Sequence, residues 1–331
     1  MAKGTGKMNK LELLREYRRK NMEMPTRKLS RIIYSENPLL FKSIESIRNQ
    51  LVRMENPKAP HFKPEFKKDE LRPNNPYNLP ESSEIIYEPY IIKGYKKVGI
   101  LSDIHLPYHN IGALTCAIEF LKKEKVDALL LNGDTIDCHS LSRFMKDPKK
   151  RDFKYELDTL KAFVEVLKKE LNCKIFFKIG NHENRYQHFL YQKAGELVGI
   201  EEFEFENIIK ARAEGIDIIE SNRYMKLNEL NGIHGHEYIG GISAPVNVAR
   251  GLYLRGKTSA FQGHNHSTSE HSETDMNGKI TTTWSIGCLC ELHPEYMPLN
   301  RWNWGCAVVY LDDNGIDYQF FNKRIFDGKI L

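Results

Sequence analysis

The sequence predicts an α/β fold, a two-sheet sandwich flanked by helices, preceded by a small all-α module of helix-turn-helix-like outline. Three observations carry this. Between residues 97 and 213, short apolar, β-branched runs alternate with helix-spaced segments. Beyond residue 216 the pattern turns mostly to strands divided by turn signals. Within residues 1–55, three short stretches carry apolar residues at helical spacing. A chain of 331 residues has room for one large domain and one small one.

In the first module, Leu11, Leu14 and Tyr17 mark one helix. Pro25-Thr26 starts a second, with Thr26 as its expected N-cap and Leu29, Ile32 and Ile33 turned inward. Glu36-Asn37-Pro38 breaks it, and Phe41, Ile44, Ile47, Leu51 and Val52 define a third. The tight break before that last helix gives the helix-turn-helix outline. Residues 1–55 hold 13 Lys/Arg against 6 Asp/Glu, a net of +7, whereas the whole chain is +5, so the remainder is −2. The outward residues Lys42, Ser43, Ser46, Arg48, Asn49 and Arg53 are of types that contact phosphates and base edges. Lys42, Arg48 and Arg53 are therefore the candidate nucleic-acid contacts, and DNA is the expected partner. The alternatives are a protein-docking module, or a basic solvated face that binds nothing.

Residues 56–92 read as a Pro-rich linker in extended, polyproline-like form. Its apolar end, Ile85 to Ile92, suggests an edge strand. A larger domain is expected over residues 93–331. Strand 97–102 leads to helix 111–124, strand 127–132 to a helix near 155–171, and strand 174–179 to helical segments between Arg185 and Ala213. Strands follow at 216–220, 224–227, 230–234, 257–262, 280–286, 304–311 and 316–321. Asn277-Gly278 and Asp313-Asn314-Gly315 are hairpin signals.

Five short polar segments follow apolar runs of this pattern. They are Asp103-Ile104-His105, Gly133-Asp134, Gly180-Asn181-His182-Glu183, His234-Gly235-His236 and Gly263-His264-Asn265-His266. Residues at strand ends can converge on one edge of a sheet, where open α/β folds keep their sites. Together the segments offer carboxylate, imidazole and amide-oxygen ligands. That mix suits Mn, Fe or Zn rather than Mg alone or a thiolate site.

In these blocks the chain resembles the calcineurin-like metallophosphoesterase superfamily, whose pattern is D-x-H, G-D, G-N-H-[DE], a His, and G-H-x-H. The resemblance covers roughly residues 97–320 and implies the same two-sheet fold. It implies a pair of divalent cations, Mn²⁺ first, with Fe²⁺, Zn²⁺ or Mg²⁺ as alternatives. Asp103, His105 and His266 would hold one, Asn181, His234 and His264 the other, and Asp134 would bridge them. A bridging hydroxide would attack phosphorus. His234 and His236 compete at the fourth block, and the strand-end position favours His234. His182 would be the general acid, with Glu183 fixing its tautomer and raising its pKa.

Arg185 and His109 are candidate substrate contacts. His139 reads as pocket lining, His236 as a supporting donor, and His188 and His271 as solvent-facing. Tyr296, Trp302 and Trp304 read as core or lid packing. The run Gly133-Asp134-Thr135-Ile136-Asp137-Cys138 lacks the Arg that the protein-phosphatase branch places after its second Asp. The expected function is thus hydrolysis of phosphodiesters, foremost in DNA. The alternatives are a phosphomonoesterase with a protein-docking module, and a non-catalytic binding protein.

No run of 18 apolar residues occurs, so no membrane span or membrane partner is expected. Met1 to Lys10 is basic but is not followed by an apolar signal-peptide core, which points to a cytoplasmic protein. The six cysteines include no C-x-x-C pair and read as a reduced, partly buried set, with Cys288 and Cys290 on one face of an apparent strand.

Overall fold

The computed structural model describes residues 10–22, 24–38, 40–56, 79–80, 83–143, 152–238 and 246–331. The chain divides into two units, residues 1–84 and 85–331. Most of the expected linker lies outside the described residues. Among the described residues, no helix is long and apolar enough to cross a membrane.

The first unit contains α1 (Lys10–Lys20), α2 (Thr26–Glu36) and α3 (Ile44–Glu55). Leu14, Leu29, Ile33, Phe41, Ile47, Leu51 and Met54 close one apolar core. Two expectations are corrected here. Thr26 is the first residue of α2 rather than its N-cap, which is Pro25. The Thr26 hydroxyl lies 3.0 Å from Glu55 and 3.1 Å from Arg18. Arg18 is fully buried, paired with Glu55 and bonded to the carbonyls of Asn21 and Met24. A buried guanidinium needs several partners, and Thr26 is one of those that serve Arg18. The break before α3 is also not tight. Residues 37–43 connect α2 to α3, a longer path than the 3–4-residue turn of a helix-turn-helix. Ser43 is exposed as expected, and it also caps α3 by accepting the Ser46 N–H at 3.1 Å.

The second unit begins with β1 (Tyr90–Ile92), β2 (Lys97–Leu101), α4 (Ile111–Glu124), β3 (Ala128–Asn132), α5 (Phe153–Leu171) and β4 (Lys174–Lys178). It continues through α6 (Asn184–Lys193), α7 (Phe205–Ile208), β5 (Ile216–Ile219), β6 (Met225–Leu227), β7 (Leu230–Gly232), α8 (Val248–Gly256) and β8 (Ala260–Gln262). The last strands are β9 (Ser269–Thr274), β10 (Ile280–Ser285), β11 (Trp304–Leu311), β12 (Tyr318–Phe326) and β13 (Lys329–Ile330). One sheet runs β13-β12-β11-β2-β3-β4-β5, and the other β1-β6-β7-β8-β10-β9. The apolar end of the expected linker is β1, an edge strand paired parallel with β6.

Period-two alternation builds the layers. In β3, Ala128 and Leu130 face the other sheet with Val98, Ile100, Phe176, Leu230, Phe261 and Trp284. Leu129 and Leu131 face α4 and α5, against Leu121, Leu160, Val164 and Leu167. Burying each such side chain stabilises the fold by roughly 1.5–3 kcal/mol.

Helix α8 has no counterpart in the sequence reading. Its buried residues are Ala249, Gly251 and Leu252, of which only Leu252 is large, so the helical stripe is weak, and glycine lowers helix propensity. Asn247 caps it by accepting the Arg250 N–H at 3.0 Å. Its C-cap, Lys257, is left-handed with φ 52°, so the strand expected from 257 starts only at Ala260. Cys288 and Cys290 sit in isolated bridges rather than a regular strand. All six cysteines are free thiols.

β2, β3 and β4 are parallel neighbours, as are β7 and β8. Their C-terminal ends deliver all five polar segments to one edge of the two sheets.

Candidate metal centre

At that edge the backbone turns abruptly. Asp103, His105, Asp134, His264 and His266 all have φ between 50° and 65°, a region side chains other than glycine seldom adopt. Such strain persists only where the surroundings over-determine it. Gly133, with φ +83°, precedes Asp134, and a Cβ there would lie 2.4 Å from His234 Nδ1. A Cβ on Gly263 would lie 2.0 Å from Ser102 Oγ. Both motif glycines are therefore required by the close approach of neighbouring blocks.

Two clusters share Asp134. In the first, His266 Nε2 is 3.2 Å from Asp103 Oδ1 and 3.1 Å from His105 Nε2, and His105 Nε2 is 3.9 Å from Asp134 Oδ2. In the second, His234 Nε2 is 3.2 Å from Asp134 Oδ2 and 3.2 Å from Asn181 Oδ1, and His264 joins Asp134 and His234. Asp134 is oriented for this double duty. Its Oδ1 accepts the His182 backbone N–H at 2.9 Å, leaving Oδ2 to the histidines.

These donors fit divalent cations. Two buried imidazole nitrogens face each other at 3.1 Å, and one of them lies 3.2 Å from Asp103 Oδ1, a convergence of donor atoms that a divalent cation would hold together. The Nδ1 of His264 is buried with no hydrogen-bond partner. Two rings are also set with Nε2 inward. His105 Nδ1–H donates to Asp137 Oδ2 at 3.0 Å, and His234 Nδ1–H donates to the Asn132 carbonyl at 2.7 Å.

The sequence model of the calcineurin-like phosphoesterase family matches residues 96–321. The chain belongs to that family. It is accordingly a metal-dependent phosphoester hydrolase. It is similar to the Gene 54 protein of Mycobacterium phage L5, 26% identical over 231 residues, covering 66% of this chain and 89% of the relative. The Gene 54 protein of Mycobacterium phage D29 is 24% identical over 235 residues, covering 67% and 91%. Among solved structures, Vacuolar Protein Sorting 29 from Cryptosporidium parvum aligns at 13% identity and TM-score 0.40, over 72% of this chain and 95% of that one. A dimetal phosphatase from Danio rerio aligns at 12% identity and TM-score 0.34, over 69% and 98%.

Charge in this phosphoesterase is balanced locally. Burial alone would push the His234 and His266 pKa values down, but Asp134 and Asp103 beside them hold both up at about 10. Burial and neighbouring imidazoles push His105 and His264 below the ordinary range. Asp103 and Asp134 are buried, yet the surrounding histidines keep both well below the usual carboxylate range.

The candidate acid His182 has other partners than expected. Its Nδ1 is 3.2 Å from Asp137 Oδ2, and its Nε2 is 3.7 Å from Asp134 Oδ2. Burial lowers its pKa, but those two carboxylates outweigh it, and the net shift is upward. Glu183 does not touch the ring, which corrects the expected role. Its carboxylate accepts the backbone N–H groups of Asp134, Thr135, Ile136 and Gly180 at 2.7–3.1 Å. The loop after β3 has buried donors with no strand partner, and Glu183 satisfies them. Asp137, not Glu183, is the carboxylate beside the His182 ring, meeting Nδ1 as an ion-pair contact without hydrogen-bond geometry.

Arg185 is already engaged. Its Nη1 lies 2.8 Å from the Asp137 carboxylate and carbonyl, and its Nη2 lies 2.9 Å from His182 Nε2. His109 pairs through its backbone with Cys290, and its Nδ1 is buried without a partner. His236 bonds Ser221 Oγ through Nε2 at 2.8 Å, and burial pushes its pKa down to about 4.

Asp137 and Glu237 are the functional positions that the sequence reading passes over. Glu237 accepts the N–H groups of His234 at 3.1 Å and Gly235 at 2.7 Å, and pairs at 3.2 Å with the fully buried Lys178. Both are signalled only by spacing, each three residues after a polar motif residue on a turn.

Proposed function

We propose that this phosphoesterase hydrolyses phosphodiester bonds in DNA with two divalent cations, Mn²⁺ first, and Fe²⁺, Zn²⁺ or Mg²⁺ as alternatives. One observation carries the reading: a single carboxylate oxygen, Asp134 Oδ2, faces His105 Nε2 at 3.9 Å and His234 Nε2 at 3.2 Å. Asp103, His105 and His266 would hold one cation, and Asn181, His234 and His264 the other, with Asp134 serving both. Bound there, the pair would supply Lewis acidity toward phosphoryl oxygen and an acidified water.

His182 would protonate the leaving oxygen. In the present arrangement its Nε2 faces an Arg185 donor at 2.9 Å, so that nitrogen accepts rather than donates. Release of Arg185 would free Nε2 to carry a proton and free the guanidinium for a phosphoryl oxygen. Substrate arrival would thereby arm the acid.

Charge favours a diester. Arg185, the cation beside His182, stays paired with Asp137 even when it turns to a phosphoryl oxygen, so it adds little net positive charge. A monoester dianion would ask for more positive charge than a diester monoanion. The nucleic-acid half of the reading rests on the first unit. Arg27, Arg31, Lys42 and Arg53 are exposed there and make no ion pair among the described residues. Arg48 lies 3.4 Å from Glu45 and is a weaker contact. The long connection between α2 and α3 favours a second reading, in which the module docks a protein and the enzyme is a phosphomonoesterase.

The deciding experiment assays bis-p-nitrophenyl phosphate, p-nitrophenyl phosphate, and single- and double-stranded DNA, each with Mn²⁺, Mg²⁺ or EDTA. Cleavage of the diester and of DNA in Mn²⁺, abolished by EDTA, is expected. Turnover of the monoester alone would replace this reading with the second.

A further inference from the structure

The rim on the His105 and His266 side of the site is aromatic. Trp302 packs on His266 with ring centroids 4.1 Å apart, and Tyr296 meets Trp302 edge to face at 6.4 Å. Tyr296 is nevertheless 73% exposed. The three tryptophans differ in their indole N–H. Trp284 donates to Glu270 and Trp304 to the Cys290 carbonyl, each at 2.9 Å. Among the described residues, neither Trp302 Nε1 nor the Tyr296 hydroxyl has a hydrogen-bond partner.

The loop that carries these rings is tied down. The backbone N–H of Trp302 donates to Asn300 Oδ1 and Asn300 Nδ2 to the Met297 carbonyl, both at 2.9 Å, and the backbone N–H of Asn303 donates to the His266 carbonyl at 2.9 Å. The corner is thus a fixed surface attached to a candidate ligand, with two free polar tips.

We propose that the corner formed by Tyr296 and Trp302 is a nucleobase subsite, holding the base next to the scissile phosphate; this rests on the phosphodiesterase reading. A base is tethered one sugar away from its phosphate, and Trp302 stands one ring away from a histidine of the proposed cation site. A flat π-system with polar edges matches what the corner offers: a ring face, a second ring at an angle, and free N–H and O–H groups. An acyl chain would leave both polar tips unused.

The test compares two diesters with the same leaving group, thymidine 5′-(p-nitrophenyl phosphate) and methyl p-nitrophenyl phosphate, in Mn²⁺. The nucleoside ester should be favoured in kcat/KM by about 5- to 100-fold, as expected for one stacked base. Trp302→Leu and Tyr296→Leu should each reduce that ratio by at least about fivefold, mainly through KM. A second readout needs no metal: in EDTA, dTpdT should quench tryptophan emission in the unmodified protein and not in Trp302→Leu. Equal efficiency on both diesters, an unchanged ratio in the variants, or undiminished quenching in Trp302→Leu overturns the subsite and leaves the phosphodiesterase reading standing. A hexadecyl p-nitrophenyl diester preferred over the nucleoside ester also overturns it and assigns the corner to an acyl chain. Failure on every diester with turnover of p-nitrophenyl phosphate sinks the underlying reading instead.

Discussion

The metal centre and the N-terminal helical unit carry their charge in opposite ways. At the centre, Asp103, His105, Asp134, His234 and His266 are all buried, and each has a partner at a definite distance. In the helical unit, apart from the buried Arg18–Glu55 pair, the core is closed by apolar residues, and Arg27, Arg31, Lys42 and Arg53 stand in water. A buried ionisable group is costly unless paired, so its presence implies a purpose. A surface charge costs almost nothing, so its presence implies little. One region therefore declares its chemistry and the other only permits one.

The comparison breaks first at Asp134. Asp134→Ala should abolish activity and release both cations, because one carboxylate faces both clusters. Metal content per chain, measured after gel filtration, checks this. Two tightly held ions in the variant would mean that the clusters are independent.

Next in size is His182. His182→Ala should keep its metals but slow diesters with poor leaving groups by roughly 10²–10⁴-fold. Esters of p-nitrophenol should suffer less, since that leaving group needs no proton. Equal losses on both kinds of ester would deny His182 the role of acid.

Those two positions are readable because motif order, strand ends and residue type all point one way. The supports behind them are not. Asp137 faces His105 and His182, and Glu237 holds the loop of His234. Each contact is made across the fold or through backbone N–H groups, which no side-chain pattern encodes. Glu183 belongs to the expected motif but has a different partner, because adjacency to His182 in sequence does not aim its carboxylate there. Helix α8 escapes because Leu252 is the one large side chain among its buried residues, beside Ala249 and Gly251. In the helical unit, apolar spacing reveals the three helices, but the length of the turn before α3 depends on where Phe41 inserts: it is buried ahead of the helix rather than inside it.

The two loop-holding carboxylates give a graded test. Glu183→Gln should weaken metal affinity by about 10- to 100-fold at both cations, since the loop it holds carries Asp134. Glu237→Gln should weaken one cation by a similar factor, since its loop carries only His234. Chelator competition on each variant separates the two outcomes. Equal effects on both sites in Glu237→Gln would show that the clusters are mechanically one.

Protons distinguish the regions more gently. His234 and His266 are raised from 6.5 to about 10 by the carboxylates beside them. A group raised in the folded state stabilises it fully below the unfolded pKa and loses that contribution as pH rises through the folded one. The metal-free protein should therefore lose stability between 6.5 and about 10. Cation binding requires bare nitrogens, so binding near neutral pH should release protons and tighten as pH rises. Calorimetry in two buffers of different ionisation enthalpy measures the release. Binding without proton release would show that these nitrogens are not the ligands.

The smallest effect on chemistry belongs to the helical unit. Replacing Arg27, Arg31, Lys42 and Arg53 together with Ala leaves the apolar core of that unit untouched, because all four side chains are exposed. Hydrolysis of bis-p-nitrophenyl phosphate should stay near normal, since every candidate metal ligand lies beyond residue 100. DNA affinity should fall, and the slope of log affinity against log salt should flatten by about 0.9 for each phosphate that the variant no longer neutralises. The measurement is a salt titration of DNA binding with EDTA present to prevent cleavage. Flattening would turn a permitted role into a demonstrated one. Identical slopes would show that these cations do not meet phosphate, and the protein-docking reading of the module would then lead.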